Sequence, residues 1–275
     1  MLQGLVAGTA VASRSSTLAR FRRGRDFHSA RTSSRLLARP FVWGAAIGLA
    51  SLWVLHRQTL HLDAEPPVRS EETRVDPATS IEFPTTLVIP SKVPLPKFTL
   101  VGVGVRTVSF LRVKVYSIGF YADLSNPNLN IPKTATPEEK IEHIVQNTAC
   151  VLRIIPTRST SYGHLRDGFM RALQGRMRLL QQQGSLTPAE EASAQPPLRQ
   201  LKSIFPNTPL AKHSPLDVLL TAPEPAKPRT LVFRDLGVVQ NDWVAKHFVL
   251  AYFAGDGLSP PLKQSVVTAL EGFGR

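Results

Sequence analysis

Arg106, Tyr116 and Tyr162 are the residues of this 275-residue sequence whose side chains suit a common chemical task. A guanidinium forks onto a carboxylate or a phenolate, and phenols orient what it holds. Arg106 closes the glycine-spaced run "GVGVR" (102–106), inside a stretch that otherwise reads as β-structure. Tyr116 stands on the next strand segment, within "LRVKVYSIGFYADL". Tyr162 opens a helical segment, "SYGHLRDGF", whose inward stripe also carries Phe169. An arginine and two phenols converging between a sheet and a helix would hold a planar or amphipathic anion.

Other chemistries find less support. "GVGVRT" lacks the third glycine of a dinucleotide fingerprint and runs on as strand, with no helix N-terminus to receive a pyrophosphate. No serine sits in a G-x-S-x-G elbow. The seven histidines show no metal-ligand spacing. Cys150 is the single cysteine, so an intrachain disulfide and a thiolate zinc cluster are excluded, and its apolar setting, "TACVLRIIP", predicts a buried thiol. The net charge of +13 is unevenly spread: residues 1–60 hold nine arginines against Asp26 alone, which is +8 of the total. The remainder shows no basic stripe interleaved with aromatics, which argues against nucleic acid as a partner.

The elements that would position these residues begin at Ile81. "TTLVIP", "KFTLVGVGVRTV" and "FLRVKVYSIGFYAD" are β-branched and aromatic with turn residues between them. In the last run Leu111, Val113 and Val115 alternate with Arg112, Lys114 and Tyr116, which predicts a core on the odd side and a partly polar even side. "TPEEKIEHIVQNT" predicts a helix capped at Thr136, and "ACVLRIIP" a strand. The segment from Ser161 to Gly184 predicts a long amphipathic helix with Leu165, Phe169, Leu173 and Met177 on one stripe. A proline-rich helix–loop region follows, then a strand at "LDVLLT", a hairpin at "RTLVFRDLGVV" and two closing helices, the first buried. Strands followed by helices predict an α+β domain, an antiparallel sheet with helices on one face.

The N-terminal third reads differently. Residues 1–39, rich in arginine and serine with apolar residues at helical spacing, have the composition of a mitochondrial transit peptide. Residues 40–57 enclose the uncharged stretch from Phe41 to Leu55, with Trp43 and Trp53 near its ends, and are read as one transmembrane anchor in the inner membrane. As a helix that stretch rises about 22 Å against a hydrocarbon core of about 30 Å. Residues 58–80 read as a linker and residues 81–275 as the folded domain.

"VGVGVRTVSFLRVKVYSIGFYADL" resembles the signature of the chalcone isomerase-like family, in which a G-x-G-x-R strand leads into K-x-x-x-I-G-x-Y. "RIIPTRSTSYGHLRDGF" resembles the family's next block, where a strand and a short loop deliver a tyrosine to the start of a helix. The resemblance runs roughly from Phe83 to Phe273 and, with the preceding address and anchor, looks like the fungal "altered inheritance of mitochondria" branch. It implies an open-faced antiparallel sheet covered by a layer of helices. True chalcone isomerases add a phenolate to an enone within one molecule; their arginine holds the oxyanion, and a tyrosine, a threonine and an asparagine organise water and substrate. Arg106 matches the arginine and Tyr162 the tyrosine. Tyr116 stands at the threonine's position and Phe169 at the asparagine's, so two hydrogen-bonding groups give way to bulkier aromatics.

The resemblance therefore implies a non-catalytic ligand-binding protein. Family members without isomerase activity bind fatty acids, and the fungal mitochondrial branch is associated with haem. Arg106, Tyr116, Tyr162 and Phe169 are the expected ligand-binding residues, with haem as the expected cofactor and Arg106 on its propionates. His164 is the candidate axial ligand, although it lies about 200° around the helix from Tyr162; His247 is the alternative. A fatty acid, or an isomerase or intramolecular lyase acting on some other enone, remain the competing readings.

Overall fold

The computed structural model describes residues 72–108 and 111–274. In chain order the elements are β1 (Thr73–Val75), β2 (Glu82–Pro84), β3 (Thr86–Leu87), β4 (Phe98–Val108), β5 (Val113–Ala122), α1 (Pro137–Asn147), β6 (Cys150–Pro156), β7 (Thr160–Ser161), α2 (Tyr162–Gln182), α3 (Pro188–Ser203), β8 (Pro209–Leu210), β9 (Leu216–Leu220), β10 (Thr230–Phe233), β11 (Gly237–Gln240), α4 (Asp242–Leu250) and α5 (Pro260–Leu270). Seven strands form one antiparallel sheet in the order β11-β10-β9-β6-β5-β4-β3. The helices cover one face over a large apolar core, and a smaller apolar cluster around Phe83, Phe98 and Tyr121 lies on the other. This is the expected open-faced α+β arrangement.

The β4–β5 ladder carries two irregularities that set up the site. Val101 on β4 and Val115 on β5 are each an extra residue against the partner strand. A bulge re-aims the side chains that follow it. Beyond Val115 the even positions Tyr116, Ile118 and Phe120 face the helices, while Leu111 is 68% exposed. Of the expected odd-side core residues only Val115 packs against the core, and from Tyr116 onward the core lies on the even side of β5.

Local signals account for the helix ends. Thr136 and Glu139 close a capping box on α1, and Thr187 and Glu190 another on α3. Gly184, at φ +65°, follows α2. Two buried cations finish helices from outside. Lys140 on α1 donates to Leu270 O at 2.9 Å and Glu271 O at 3.1 Å, at the end of α5. Arg229 donates to Val145 O and, at 2.8 Å, to Thr148 O, at the end of α1. Both meet carbonyls that a helix leaves unpaired, so their charges are structural.

The folded part begins before Ile81. Thr73–Val75 pairs with Glu82–Pro84, so residues read as linker form a hairpin over the open sheet face. Its turn is tied down by the buried Asp76, which accepts from Ser117 Oγ at 2.6 Å and Thr79 Oγ1 at 2.9 Å. Among the described residues no helix is long and apolar enough to cross a membrane. The expected transit peptide and the stretch Phe41–Leu55 lie outside the described residues.

Candidate functional site

Gly102, Gly104 and Arg106 share the helix-facing side of β4, and the glycines are there because α5 lies on the strand backbone. A Cβ on Gly102 would come within 2.6 Å of Val266 Cγ2. The cap and a side chain of α5 also serve the strand's backbone: Ser259, the N-cap, donates from Oγ to Val105 O at 2.8 Å, and Val103 N–H donates to Ser265 Oγ at 3.1 Å. Arg106, the next side chain on that face, reaches Leu258 in the turn into α5, where its Nη1 donates to the carbonyl oxygen.

Tyr116 stands directly across the ladder from Arg106. Its hydroxyl is buried and lies 2.9 Å from that of Tyr252, beyond the end of α4. Burial pushes the Tyr116 phenol up to about 12, and the charge of Arg106 offsets only part of that. Tyr252 is raised well above the usual phenol range, again chiefly by burial. Neither ionises near neutrality. Phe169 is the wall opposite, held edge-on by Phe248 at 4.9 Å and within 5.9 Å of Phe205.

Between them lies a cleft of about 60 Å³, bordered by Arg106, Val115, Tyr116, His164, Gly168, Phe169, Arg171 and Leu258. Three of the expected ligand-binding residues, Arg106, Tyr116 and Phe169, therefore meet. Tyr162 does not border the cleft: it is half-buried against the helix-side core at the start of α2. His164 does border it, although exposed, because residues 164, 168 and 171 share the rim-facing side of α2. The sequence reading missed Arg171, which the three- and four-residue spacing from His164 and Gly168 could have shown. It also missed Tyr252, for which a distant apolar run offers no such signal.

The cleft offers the cations Arg106 and Arg171 together with the protonated Tyr116 phenol and the Phe169 ring. That arrangement can hold an anionic head group; Tyr116 cannot act as a base. Sites for ligands of haem's size occupy about 300–1,000 Å³, several times the space here, so a haem, like any long alkyl chain, would require this cleft to open. His164 is at the rim, and His247 is elsewhere, on α4 with its ring 4.7 Å from Trp243 and its Nδ1 accepting from Arg176 Nε at 3.0 Å. Burial first, and then Arg176 and Lys246, lower His247 to about 3, so it stays neutral.

Comparison with known proteins places the geometry in a family. A family model described as "Chalcone isomerase like" matches residues 96–134 and 130–267. The chain is similar to altered inheritance of mitochondria protein 18, mitochondrial, from Lachancea thermotolerans, at 25% identity over 265 residues, 81% of this chain and 82% of that protein. The protein of the same name from Kluyveromyces lactis is also 25% identical, over 73% of this chain and 71% of its own length. Among solved structures, a fatty-acid binding protein of Arabidopsis thaliana superposes with a TM-score of 0.54 at 17% identity, covering 74% of this chain and all of that one, a likeness of fold.

Proposed function

The chain belongs to the chalcone isomerase-like family, and from that premise we propose that it is a non-catalytic mitochondrial binding protein for an amphipathic carboxylate, such as a fatty acid, held by Arg106. The observation that carries this reading is the filling of the cleft by Tyr116 and Phe169. The Tyr116 hydroxyl is engaged with Tyr252, and Phe169 has nothing to donate or accept. The two positions that the family fills with a threonine and an asparagine thus offer no free hydrogen-bonding group to organise water. What remains is a cation at the mouth of about 60 Å³, room for about two waters at roughly 30 Å³ each, which suits a carboxylate head. Room for the alkyl chain would require α2 to draw back from β5 with the Phe169 ring, since the cleft holds only about 60 Å³.

The Arabidopsis neighbour is by its printed name a fatty-acid binder, which agrees with this chemistry. The similar yeast proteins are named mitochondrial, and the arginine-rich residues 1–39 fit the same address. Attachment to the inner membrane through Phe41–Leu55 belongs to the same proposal.

Calorimetric titration of the full chain with dodecanoate tests it, beside the Arg106→Ala and Tyr116→Phe variants. Saturable binding that Arg106→Ala abolishes and Tyr116→Phe retains is the expected result. A Soret band on adding haemin, weakened by Arg106→Ala, would put haem in place of the fatty acid. Turnover of a chalcone that Arg106→Ala removes would overturn the non-catalytic reading.

A further inference from the structure

The helices α2 and α3 carry six basic residues, Arg166, Arg171, Arg176, Arg178, Arg199 and Lys202, against Asp167, Glu190 and Glu191. Two of the six are engaged: Arg166 lies 2.9 Å from Asp167, and the half-buried Arg176 donates to His247. The other four are exposed and, among the described residues, make no hydrogen bond or ion pair. The nearby acids do not answer them. Asp167 is bonded to Arg166, and Glu190 is turned back onto the start of α3 by Thr187, close to Lys246. Asp235, in the turn between β10 and β11 beyond the end of α3, lies 3.8 Å from Arg234. That leaves Glu191, which shares a groove of about 510 Å³ with Arg178, Arg199 and Lys202 over Met177 and Leu198.

Helix geometry gathers the four into one band. On α2, residues 164, 168, 171, 175, 178 and 182 fall within about 40° of a single line. Arg171 and Arg178 therefore stand about 10 Å apart along one flank, and the groove brings Arg199 and Lys202 beside them. Lys202 also acts on Asp167, near the start of α2, so the band reaches the rim of the cleft, where His164 and Arg171 stand. Between the arginines the surface is bare: a Cβ on Gly168 or Gly175 would meet nothing within 4 Å. Val108 at the cleft and Leu179 toward the far end of α2 are 40% and 44% exposed. Exposed apolar side chains among unpaired cations suit the headgroup region of a bilayer, which buries the former and attracts the latter. A single-stranded nucleic acid would find no aromatic side chain on the band to stack on.

We propose that the α2–α3 face is the surface by which the domain lies on an anionic phospholipid bilayer, with Arg171, Arg178, Arg199 and Lys202 on the headgroups and the cleft rim turned toward the lipid. The choice of a bilayer over a soluble polyanion rests in part on the reading of the cleft, since an amphipathic carboxylate partitions into lipid. The charge of the band does not depend on that reading.

Cys150 is the single cysteine and is fully buried, so an environment-sensitive thiol dye can be placed elsewhere on the full chain. Gln182→Cys puts it on the band, and Val93→Cys, at a position 66% exposed, puts it on the open sheet face. The arginine-rich residues 1–39 would by themselves draw the chain to anionic vesicles. The readout is therefore which dye enters the lipid, not capture of the protein. Each labelled chain is mixed with vesicles of phosphatidylcholine, or of phosphatidylcholine and phosphatidylglycerol in equal parts. A blue shift of the Gln182→Cys dye on the anionic vesicles alone, with none at Val93→Cys, is expected. Arg178→Gln, Arg199→Gln and Lys202→Gln combined, none of which borders the cleft, should move the docking equilibrium about a hundredfold and remove the shift. The same variant should bind dodecanoate as the wild type does, and circular dichroism checks its fold. Equal shifts from both dyes, no shift at Gln182→Cys, or a shift that the folded triple variant retains overturns the proposal. So does a Gln182→Cys signal that a DNA duplex raises and anionic vesicles do not. A shift that persists in Arg106→Ala, or in a wild type that takes up no dodecanoate, supports this face and separates it from the cleft.

Discussion

Gly104 lies directly beneath Leu262: a Cβ on the glycine would stand 2.2 Å from the Leu262 backbone nitrogen and 2.6 Å from its Cα. The glycine-spaced run and the arginine that follows it are thus parts of one construction. Gly102 and Gly104 let α5 settle on the strand, and Arg106 holds the turn that leads into that helix through Leu258 O. A ligand anion at Arg106 would therefore share its guanidinium with the scaffold.

The Gly104→Ala variant is expected to lose about 3 kcal/mol of stability, the upper end for overpacking, because the obstacle is helix backbone and cannot rotate away. A fall in the urea midpoint at unchanged slope measures it. An unchanged midpoint would mean that α5 does not rest on β4.

Tyr116→Phe and Tyr252→Phe should each cost about 1–2 kcal/mol, since each strands a buried hydroxyl that now has a partner at 2.9 Å. The double variant should cost less than the sum, because removing both hydroxyls leaves neither unsatisfied. Chemical denaturation of the four proteins closes the cycle. Strict additivity would show that the two hydroxyls do not depend on each other.

How far the sequence could be read depended on the range of the signal. α1 announced itself through Thr136, Pro137 and Glu139, a local pattern that acts within one turn. α3 was read only as part of a helix–loop region, because Pro196 and Pro197 break the helical signal; they sit inside the helix, Pro196 exposed and Pro197 half-buried. The face of β5 was misread because the bulge at Val115 shifts the period of the strand, and a bulge depends on how the partner strand pairs. Arg106 and Phe169 could be picked out by type and spacing. Tyr252, 136 residues beyond Tyr116, could not, because only tertiary packing brings it there.

His247 should make the protein acid-sensitive. Its pKa falls from 6.5 to about 3 on folding, because burial and the facing cations Arg176 and Lys246 outweigh Glu190. Between those values the unfolded chain takes up a proton that the folded chain refuses. Stability should then fall as pH drops below about 6.5, at up to about 1.4 kcal/mol per pH unit, and this contribution should level off near 3. His247→Gln, which keeps an acceptor for Arg176, should flatten the difference between unfolding curves taken at pH 7 and pH 5. Parallel curves for the two proteins would show that His247 titrates normally in the folded state.

Gly168 and Gly175 both lie in α2, and a Cβ on either meets nothing within 4 Å, but only Gly168 borders the cleft. Replacing either by alanine should stabilise the helix by about 0.5–1 kcal/mol, the usual cost of a glycine in a helix interior. The two should part company in binding. Gly168→Leu projects into the space beside Arg106 and should weaken dodecanoate binding while leaving the fold intact; Gly175→Leu should leave binding unchanged. Thermal unfolding and titration of the same four variants separate the effects, since helix propensity changes alike at both positions and the cleft is filled at only one. Equal binding in Gly168→Leu and Gly175→Leu would take the ligand out of this cleft, leaving Gly168 a glycine that the fold does not need.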